Sequence, residues 1–252
     1  MKISACILTK NEGAVIEECI RNIKPIADEI VVVDGFSKDS TIWIAKKYGC
    51  RVVRRRFSGS FSEERNFCAS LASNDWVLFI DADEIFDTMM VKEIQEIKHN
   101  NAERYASYCF PRKTYFDRDS NKFYMHPVNY PAFQDRLYNR KKCRFIGIIH
   151  ESLVINGGRK FIPFHIIHYP ENIYKPKDKM RIKEKSSLYA RLRKKHDTEK
   201  EAFIRSQRSV LRIIGNMWFY FKSMFFGLGF WKSPKGYLYI AAWFYYYSKT
   251  MK

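Results

Sequence analysis

Short apolar runs that end in polar residues alternate with helix-like segments through the first part of the chain, and this pattern restricts the fold more than any other feature. The clearest run is Glu29–Asp34, with the β-branched sequence EIVVVD, followed by turn-forming residues 35–40 and a helix-like segment at 41–48. Residues 2–9 and 75–81 form similar runs. Strands that alternate with helices predict an α/β fold with a Rossmann-like, mainly parallel central sheet flanked by helices.

The second part of the chain has a different pattern. A helix is predicted around 90–97, and aromatic-rich segments at 105–115 and 133–138 predict strands of a mixed sheet. From residue 172 onward the sequence has a helical pattern and is first basic and then aromatic. We therefore expect one α/β domain over residues 1–170 and a C-terminal helical, basic and aromatic extension over residues 171–252.

Two aspartates, Asp81 and Asp83, enclose Ala82 at the end of the apolar run 75–81. Open α/β sheets bind their ligands beyond the carboxyl ends of the strands. Two carboxylates at such a position can bind one hard cation, Mn²⁺ or Mg²⁺, which then bridges a diphosphate. The alternative is that the acids only solvate the strand end, and an isolated DxD does not decide between the two.

Polar residues also follow the first two predicted strands, at the same expected edge. Asp34 ends the second strand, where a carboxylate can accept hydrogen bonds from a base imide or a ribose hydroxyl. Helix capping is the favoured role for Asp39 and Ser40 after it. Lys10 and Glu12 follow the first strand, although Glu12 is alternatively a favourable acid in the first turn of a helix.

Four motifs give the sequence a family resemblance: TKNE at 9–12, VVVDGFSKDST at 31–41, FSEERNF at 61–67 and WVLFIDADE at 76–84. Together they resemble the inverting glycosyltransferases of family 2. The resemblance implies a GT-A fold, a nucleoside-diphosphate sugar as donor, with UDP expected, and a divalent metal at the DxD.

A later pair of motifs, FQDRLY at 133–138 and GIIHE at 147–151, resembles the branch that contains the lipopolysaccharide-core β-glucosyltransferases. This branch implies a glycan or glycolipid acceptor of the cell envelope, such as lipopolysaccharide core or capsule, bound on the mixed-sheet side. The segment 229–236, GFWKSPKG, is less similar, because it lacks the acidic residue expected between its glycines.

The resemblance assigns roles position by position. It places Lys10 and Glu12 in the first-strand motif, Asp34 and Arg65 at the nucleotide, Asp81 and Asp83 at the metal, and His150 and Glu151 beside the reacting centre. Arg65 would offset phosphate charge through charge-assisted hydrogen bonds, and the alternative is a solvated arginine on an exposed helix.

Glu151 is the expected general base, because it follows the apolar run 145–149 and matches the family's late acidic position. Asp135 is the second choice, and a surface salt bridge is the alternative role for Glu151. His150 would point to the opposite face of a continuing strand, so we expect it to contact metal or diphosphate. His168 is expected to be a packed core histidine or, alternatively, a third metal ligand.

The chain carries a formal net charge of +18, which favours a polyanionic partner. Aromatic residues beside basic ones at 218–226 predict an interfacial helix on an anionic membrane, with closure of the core as the alternative.

The N-terminal apolar run 3–8 is too short for a signal peptide, and the six scattered cysteines suit a reducing cytosol. These features predict a cytoplasmic protein, peripheral on the inner face of a bacterial inner membrane.

Two other classes of function fit parts of the sequence. A sugar-phosphate nucleotidyltransferase usually has a glycine-rich loop after its first strand, but TKNEGAV at 9–15 contains one glycine. A basic nucleic-acid-binding protein would account for the charge, but no recognised binding motif accompanies the basic residues. We therefore expect no nucleic acid partner, and the sequence leaves the oligomeric state open.

Overall fold

A computed structural model describes residues 1–100, 104–117, 122–124, 132–149 and 151–169, together with five helical residues between 187 and 192. The chain divides into two compact units, Met1–Lys113 with Pro131–Tyr169, and Thr114–Tyr130 with Pro170–Lys252. The candidate site lies in the first unit. His150 and, apart from the five helical residues, the predicted extension lie outside the described residues.

The chain begins with alternating strands and helices. These are β1 (Ile3–Thr9), α1 (Ile16–Ile23), β2 (Glu29–Asp34), α2 (Thr41–Lys47), β3 (Arg51–Arg54), α3 (Phe61–Ser70), β4 (Trp76–Asp81), β5 (Glu84–Phe86) and α4 (Thr88–His99). Strands then predominate, with β6 (Ser107–Asp117), β7 (Lys122–Tyr124), β8 (Ala132–Asn139), β9 (Cys143–Ile146), β10 (Ser152–Ile155), β11 (Arg159–Phe161) and β12 (Ile166–His168).

The described strands of the main sheet follow the order β3-β2-β1-β4-β8-β6-β12-β5. β1 lies between β2 and β4 and pairs with both in parallel, and β3 continues the parallel part beyond β2. The register places Thr9 beside Asp34 and Leu8 beside Asp81. The carboxyl ends of β1, β2 and β4 therefore meet at one edge, as the sequence predicted.

The rest of the sheet is mixed, as expected for the second part of the chain. β8 runs antiparallel to both β4 and β6, β12 is antiparallel to β5, and β11 is parallel to β6. β9 and β10 form a separate two-stranded hairpin. The predicted class of fold, α/β with helices flanking a central sheet, is confirmed, and its parallel part consists of β1 to β4.

Two hydrophobic clusters hold the helices and the hairpin against the sheet. One buries the apolar face of α1, including Ile16, Ile20 and Ile23, and part of α4. The other joins α3 to the hairpin through residues such as Cys68 and Phe145. All six cysteines are buried and free of disulfide bonds. Among the helices of the described residues, none has the length and apolar character needed to cross a membrane.

Candidate active site

The loops after β1 and β2 are tied together at the carboxyl edge of the sheet. The Asn11 amide donates to Ser37 Oγ at 2.7 Å, and Asn11 Oδ1 accepts from the Lys38 amide at 2.8 Å. The Gly13 amide donates to Asp39 Oδ2 at 2.9 Å. Asn11 has a positive φ of 55°, a conformation that asparagine tolerates better than most residues. These contacts fix the backbone conformation of the two loops at this edge.

Asp34 is fully buried at the end of β2. Its carboxylate accepts hydrogen bonds from the Ser37 amide at 2.9 Å and from the Ser37 hydroxyl. Asp39 accepts from the Thr41 amide and hydroxyl at the start of α2, so it caps that helix in addition to tying the loops. Burial alone would raise the pKa of Asp39, but the hydrogen bonds from Thr41 and Gly13 lower it.

Lys10 and Glu12 lie on the same edge, next to Asp34. The Lys10 side chain is exposed and packs over Gly35, where an added Cβ would lie 3.2 Å from Lys10 Cβ. The Glu12 amide donates to Thr41 Oγ1 at 2.9 Å, and its carbonyl accepts from the amide that starts α1 at Ile16. Both predicted residues therefore lie at the carboxyl edge of the sheet near β2.

Asp81 is held by two arginines. Arg136 Nη2 donates to Asp81 Oδ2 at 2.8 Å, and Arg65 Nη2 lies 3.4 Å from Asp81 Oδ1. Burial would raise the pKa of Asp81, but the charges of Arg136 and Arg65 hold it well below the usual range of a carboxyl group. Asp81 is therefore an anion at any physiological pH, and its Oδ1 is the more loosely held oxygen.

Arg65 links Asp81 to the predicted base. Its Nε donates to Glu151 Oε1 at 2.5 Å, while its guanidinium lies over the Phe79 ring at 4.2 Å from the ring centroid. The Arg65 side chain is 12% exposed and that of Glu151 is 14% exposed, so neither is a freely solvated surface group. A cation stacked on an aromatic ring and paired with two carboxylates is strongly restrained. The structure thus brings together three of the predicted residues.

Asp83 lies beside His168, with 3.2 Å between Asp83 Oδ2 and His168 Nε2. The pairing of β12 with β5 places His168 opposite Glu84, and the Tyr169 amide donates to the Asp83 carbonyl at 2.9 Å. Two segments separated by more than 80 residues therefore meet at the DxD. The contact brings His168 to the DxD, as the metal-ligand alternative requires, and its role there stays a prediction.

The donor set around Asp83 fits a divalent cation in part. Carboxylate oxygen suits Mn²⁺ and Mg²⁺, which are commonly bound by one or two carboxylates together with substrate phosphates. In the described residues no group of three or more His, Cys, Asp or Glu side chains is arranged to hold a metal. Asp83 and His168 thus fit a cation that takes its other ligands from a bound diphosphate and water.

Asp135 lies in a separate pair. Its Oδ1 accepts from Ser107 Oγ at 2.7 Å, and its Oδ2 lies 3.0 Å from Arg159 Nη2. Among the contacts of the described residues, these place Asp135 outside the cluster around Asp81. His150, predicted to contact metal or diphosphate, lies outside the described residues.

Sequence reasoning missed three charged residues beneath the DxD: Glu84, Arg112 and Arg136. Arg136 donates to both carboxylate oxygens of Glu84 at 2.6 Å, and Arg112 Nη1 lies 3.3 Å from Glu84 Oε1. One signal was available, because an arginine inside a strand-like run such as FQDRLY needs a carboxylate partner if that strand is buried.

The chain matches the model of "Glycosyl transferase family 2" over residues 4–162, which is more than half of its length. The chain belongs to this family. The predicted family and its GT-A class of fold are confirmed, whereas the lipopolysaccharide-core branch stays a prediction.

Two of the similar curated proteins are glycosyltransferases of Rickettsia. The chain is 38% identical over 160 residues to an uncharacterised glycosyltransferase of Rickettsia bellii, covering 62% of this chain and 53% of the relative. It is 37% identical over 166 residues to one of Rickettsia typhi, covering 64% and 56%. The chain therefore spans about half the length of the curated relatives it matches.

Two solved structures are similar at low identity. Residues 1–349 of S. aureus TarS give a TM-score of 0.47 at 15% identity, covering 76% of this chain and 64% of that one. Glucosyl-3-phosphoglycerate synthase of Mycobacterium tuberculosis, in complex with Mn²⁺, UDP and glucosyl-3-phosphoglycerate, gives 0.48 at 18% identity, covering 75% and 77%.

Proposed function

We propose that this chain is an inverting, metal-dependent glycosyltransferase that moves a sugar from a nucleoside-diphosphate sugar, with UDP expected, to a glycan or glycolipid of the cell envelope. The observation that carries the proposal is the position of Arg65, which joins the DxD carboxylate of Asp81 to the carboxylate of Glu151. The carboxylate beside the proposed metal site and the carboxylate proposed to accept a proton thereby lie one guanidinium apart.

Donor binding is assigned to the parallel part of the sheet. Asp34 offers a buried carboxylate at the end of β2, suited to a base imide or a ribose hydroxyl. Lys10 and Arg65 supply positive charge for the diphosphate, Arg65 through a planar group that can form two hydrogen bonds. Glu12 completes the first-strand motif of this edge.

A divalent cation, Mn²⁺ or Mg²⁺, held by Asp83 and His168 beside Asp81, would supply charge that stabilises the departing diphosphate. The protein's own residues do the rest of the chemistry. The acceptor hydroxyl oxygen forms a bond to the anomeric carbon as the bond from that carbon to the diphosphate oxygen breaks. The hydroxyl proton passes to the Glu151 carboxylate.

Glu151 is a better candidate base than Asp135. Its contact with Arg65 places it in the same cluster as Asp81, whereas Asp135 is paired with Ser107 and Arg159. Donor diphosphate that attracts Arg65 would also loosen the contact that occupies one oxygen of Glu151. Attack from the face opposite the leaving group then inverts the anomeric centre.

The proposal is tested by incubating the full chain with a panel of nucleotide sugars and either Mn²⁺ or Mg²⁺, and measuring release of nucleoside diphosphate. We expect slow, metal-dependent turnover of one donor, which a chelator abolishes and which Asp83→Asn strongly lowers at limiting metal. Asp75→Asn is the matched control, because Asp75 precedes β4 and pairs with the exposed Lys141. Failure of every donor to turn over or bind with either metal would reject the proposal.

For the acceptor and the location, we propose an envelope glycan or glycolipid at the anionic inner face of the bacterial inner membrane, where the protein is peripheral. The net charge of +18 supports electrostatic attraction to such a surface. Sedimentation with vesicles tests it: binding to anionic vesicles should fall as salt rises, since exposed charges are screened. Equal binding to neutral vesicles would contradict the electrostatic part.

A further inference from the structure

Arg136 is a buried arginine on an irregular part of β8. The register of β6 and β8 pairs Tyr108 with Leu137 and then Cys109 with Asp135, so Arg136 has no opposite residue on β6. Bulges of this kind change the direction of a side chain and are common next to active sites. The side chain of Arg136 is 3% exposed, and the bulge brings it under the end of β4.

Arg136 contacts two carboxylates, that of Asp81 in the DxD and that of Glu84 directly after it. Its Nη2 donates to Asp81 Oδ2 at 2.8 Å and to both oxygens of Glu84 at 2.6 Å. Glu84 is fully buried and also accepts from the Asp81 amide at 3.2 Å. Arg136 and Glu84 therefore hold both the side chain and the backbone of Asp81.

Stability is a weak reason for such an arrangement. Removing charged groups from water is costly, and replacing a buried ion pair by apolar residues of similar volume is often neutral or stabilising. The buried pair of Arg136 and Glu84 has a second effect, because Arg136 also binds the Asp81 carboxylate at the carboxyl edge of the sheet. It fixes the direction in which that carboxylate points, and an outer partner of this type tunes the affinity of a metal site.

We propose that Arg136, anchored by Glu84, is a positioning residue that holds Oδ2 of Asp81 and so directs Oδ1 toward the bound metal and nucleoside diphosphate. The inference rests on the proposed function, since it concerns the same donor site. It assigns Arg136 no contact with substrate. It also gives the pair of motifs WVLFIDADE and FQDRLY a shared purpose, because Glu84 belongs to the first and Arg136 to the second.

The test separates positioning from simple structural support. The double variant Arg136→Met with Glu84→Leu removes both members of the ion pair together, so neither is left buried without the other. The charged partners that remain, Arg112 and Asp81, are 28% and 31% exposed, and Asp81 keeps Arg65. Melting temperature reports folding, and calorimetric titration of Mn²⁺ in the presence of UDP reports the site without turnover. We expect a melting temperature close to wild type and an affinity for Mn²⁺ with UDP weaker by about 10-fold or more.

A matched control and a milder variant complete the design. Arg140→Met removes another arginine close after Arg136 on the chain, whose Nε donates to the Asn74 carbonyl at 3.0 Å, and it should leave Mn²⁺ affinity unchanged. Glu84→Gln keeps the volume and loosens the anchor, so KM for Mn²⁺ should rise by about 10-fold with a smaller change in kcat. If the double variant does not fold, Glu84→Gln alone distinguishes a positioning role of Arg136 from structural support.

Wild-type affinity for Mn²⁺ with UDP in the folded double variant, or an unchanged KM for Mn²⁺ in Glu84→Gln, would overturn the inference and leave Arg136 as structural support. A wild-type protein that binds neither UDP nor a nucleotide sugar with Mn²⁺ would instead overturn the proposed function itself. The two failures are thus distinguishable in one set of titrations.

Discussion

The two parts of the sheet contribute different groups to the candidate site. The parallel part supplies acids at strand ends, Asp34 on β2 and Asp81 on β4, in positions that follow from where each strand stops. The mixed part supplies nitrogen-bearing side chains that contact the acids of the DxD, Arg136 from the middle of β8 and His168 from the end of β12. The positions of the acids follow from local sequence. The contacts of Arg136 and His168 with them depend instead on the pairing of strands that are far apart in the chain.

The largest effect is expected at Glu151, the proposed proton acceptor, which lies between the hairpin strands β9 and β10. Glu151→Gln keeps the shape of the side chain and removes its basicity, and loss of a general base typically lowers the rate by about 10²- to 10⁴-fold. We expect that loss in the transfer rate, measured with saturating donor, and near-normal binding of donor by calorimetry. If Asp135→Asn shows the loss and Glu151→Gln does not, the base belongs to β8.

The next effect compares the two proposed metal ligands, Asp83 after β4 and His168 on β12. Asp83→Asn and His168→Gln should each weaken binding of Mn²⁺, with a rise in KM for Mn²⁺ of at least about 10-fold, because the two side chains lie 3.2 Å apart. Melting temperatures without metal should change little. A loss confined to Asp83→Asn would show that His168 on β12 is not a metal ligand. The claim that both parts of the sheet bind the metal would then be wrong.

A smaller effect is expected from Arg65→Lys. Lysine keeps the positive charge but cannot reach Asp81 and Glu151 at once with a planar group. KM for the donor should rise by about 10-fold, since one charge-assisted hydrogen bond to a phosphate is lost. Steady-state kinetics over a range of donor concentrations measures it. An unchanged KM for the donor would show that Arg65 does not bind the diphosphate.

The smallest effect is expected at the opposite end of β4. Asp75→Asn removes a carboxylate that is 43% exposed and pairs with Lys141, which is 70% exposed. Such surface pairs stabilise proteins by about 0 to 1 kcal/mol, so unfolding and transfer should both stay near wild type. Denaturant unfolding and transfer assays measure this. A large loss of transfer in Asp75→Asn would show that the strand end is not what gives Asp81 its role.

The sequence predicted the parallel part of the fold well. β2 and β4 are continuous apolar runs, so their ends, and the edge shared by Asp34 and Asp81, could be inferred from local pattern alone. Glu151 was predicted from a family resemblance and from the apolar run before it. Its contact with Arg65 depends on the packing of α3 against the hairpin, which no local pattern encodes.

The partners of the acids were harder to predict for the same reason. Arg136 reaches Asp81 because the register of β8 shifts by one residue, and a shift of one residue leaves no signature in the strand sequence itself. His168 reaches Asp83 only after β12 pairs with β5. Glu84 follows the DxD directly, yet its two arginine partners come from β6 and β8, far along the chain.

The central claim is that the carboxyl edge of the sheet binds a metal together with a nucleoside diphosphate. It is tested most directly by the melting temperature of wild type and Asp83→Asn with UDP, in the presence of Mn²⁺ or of chelator. A ligand at 100 times its Kd stabilises the folded state by about 2.7 kcal/mol, so a clear rise is measurable. We predict that UDP raises the melting temperature of wild type only with Mn²⁺, and that Asp83→Asn loses most of this rise. Equal stabilisation by UDP in chelator, or none under any condition, would contradict the account.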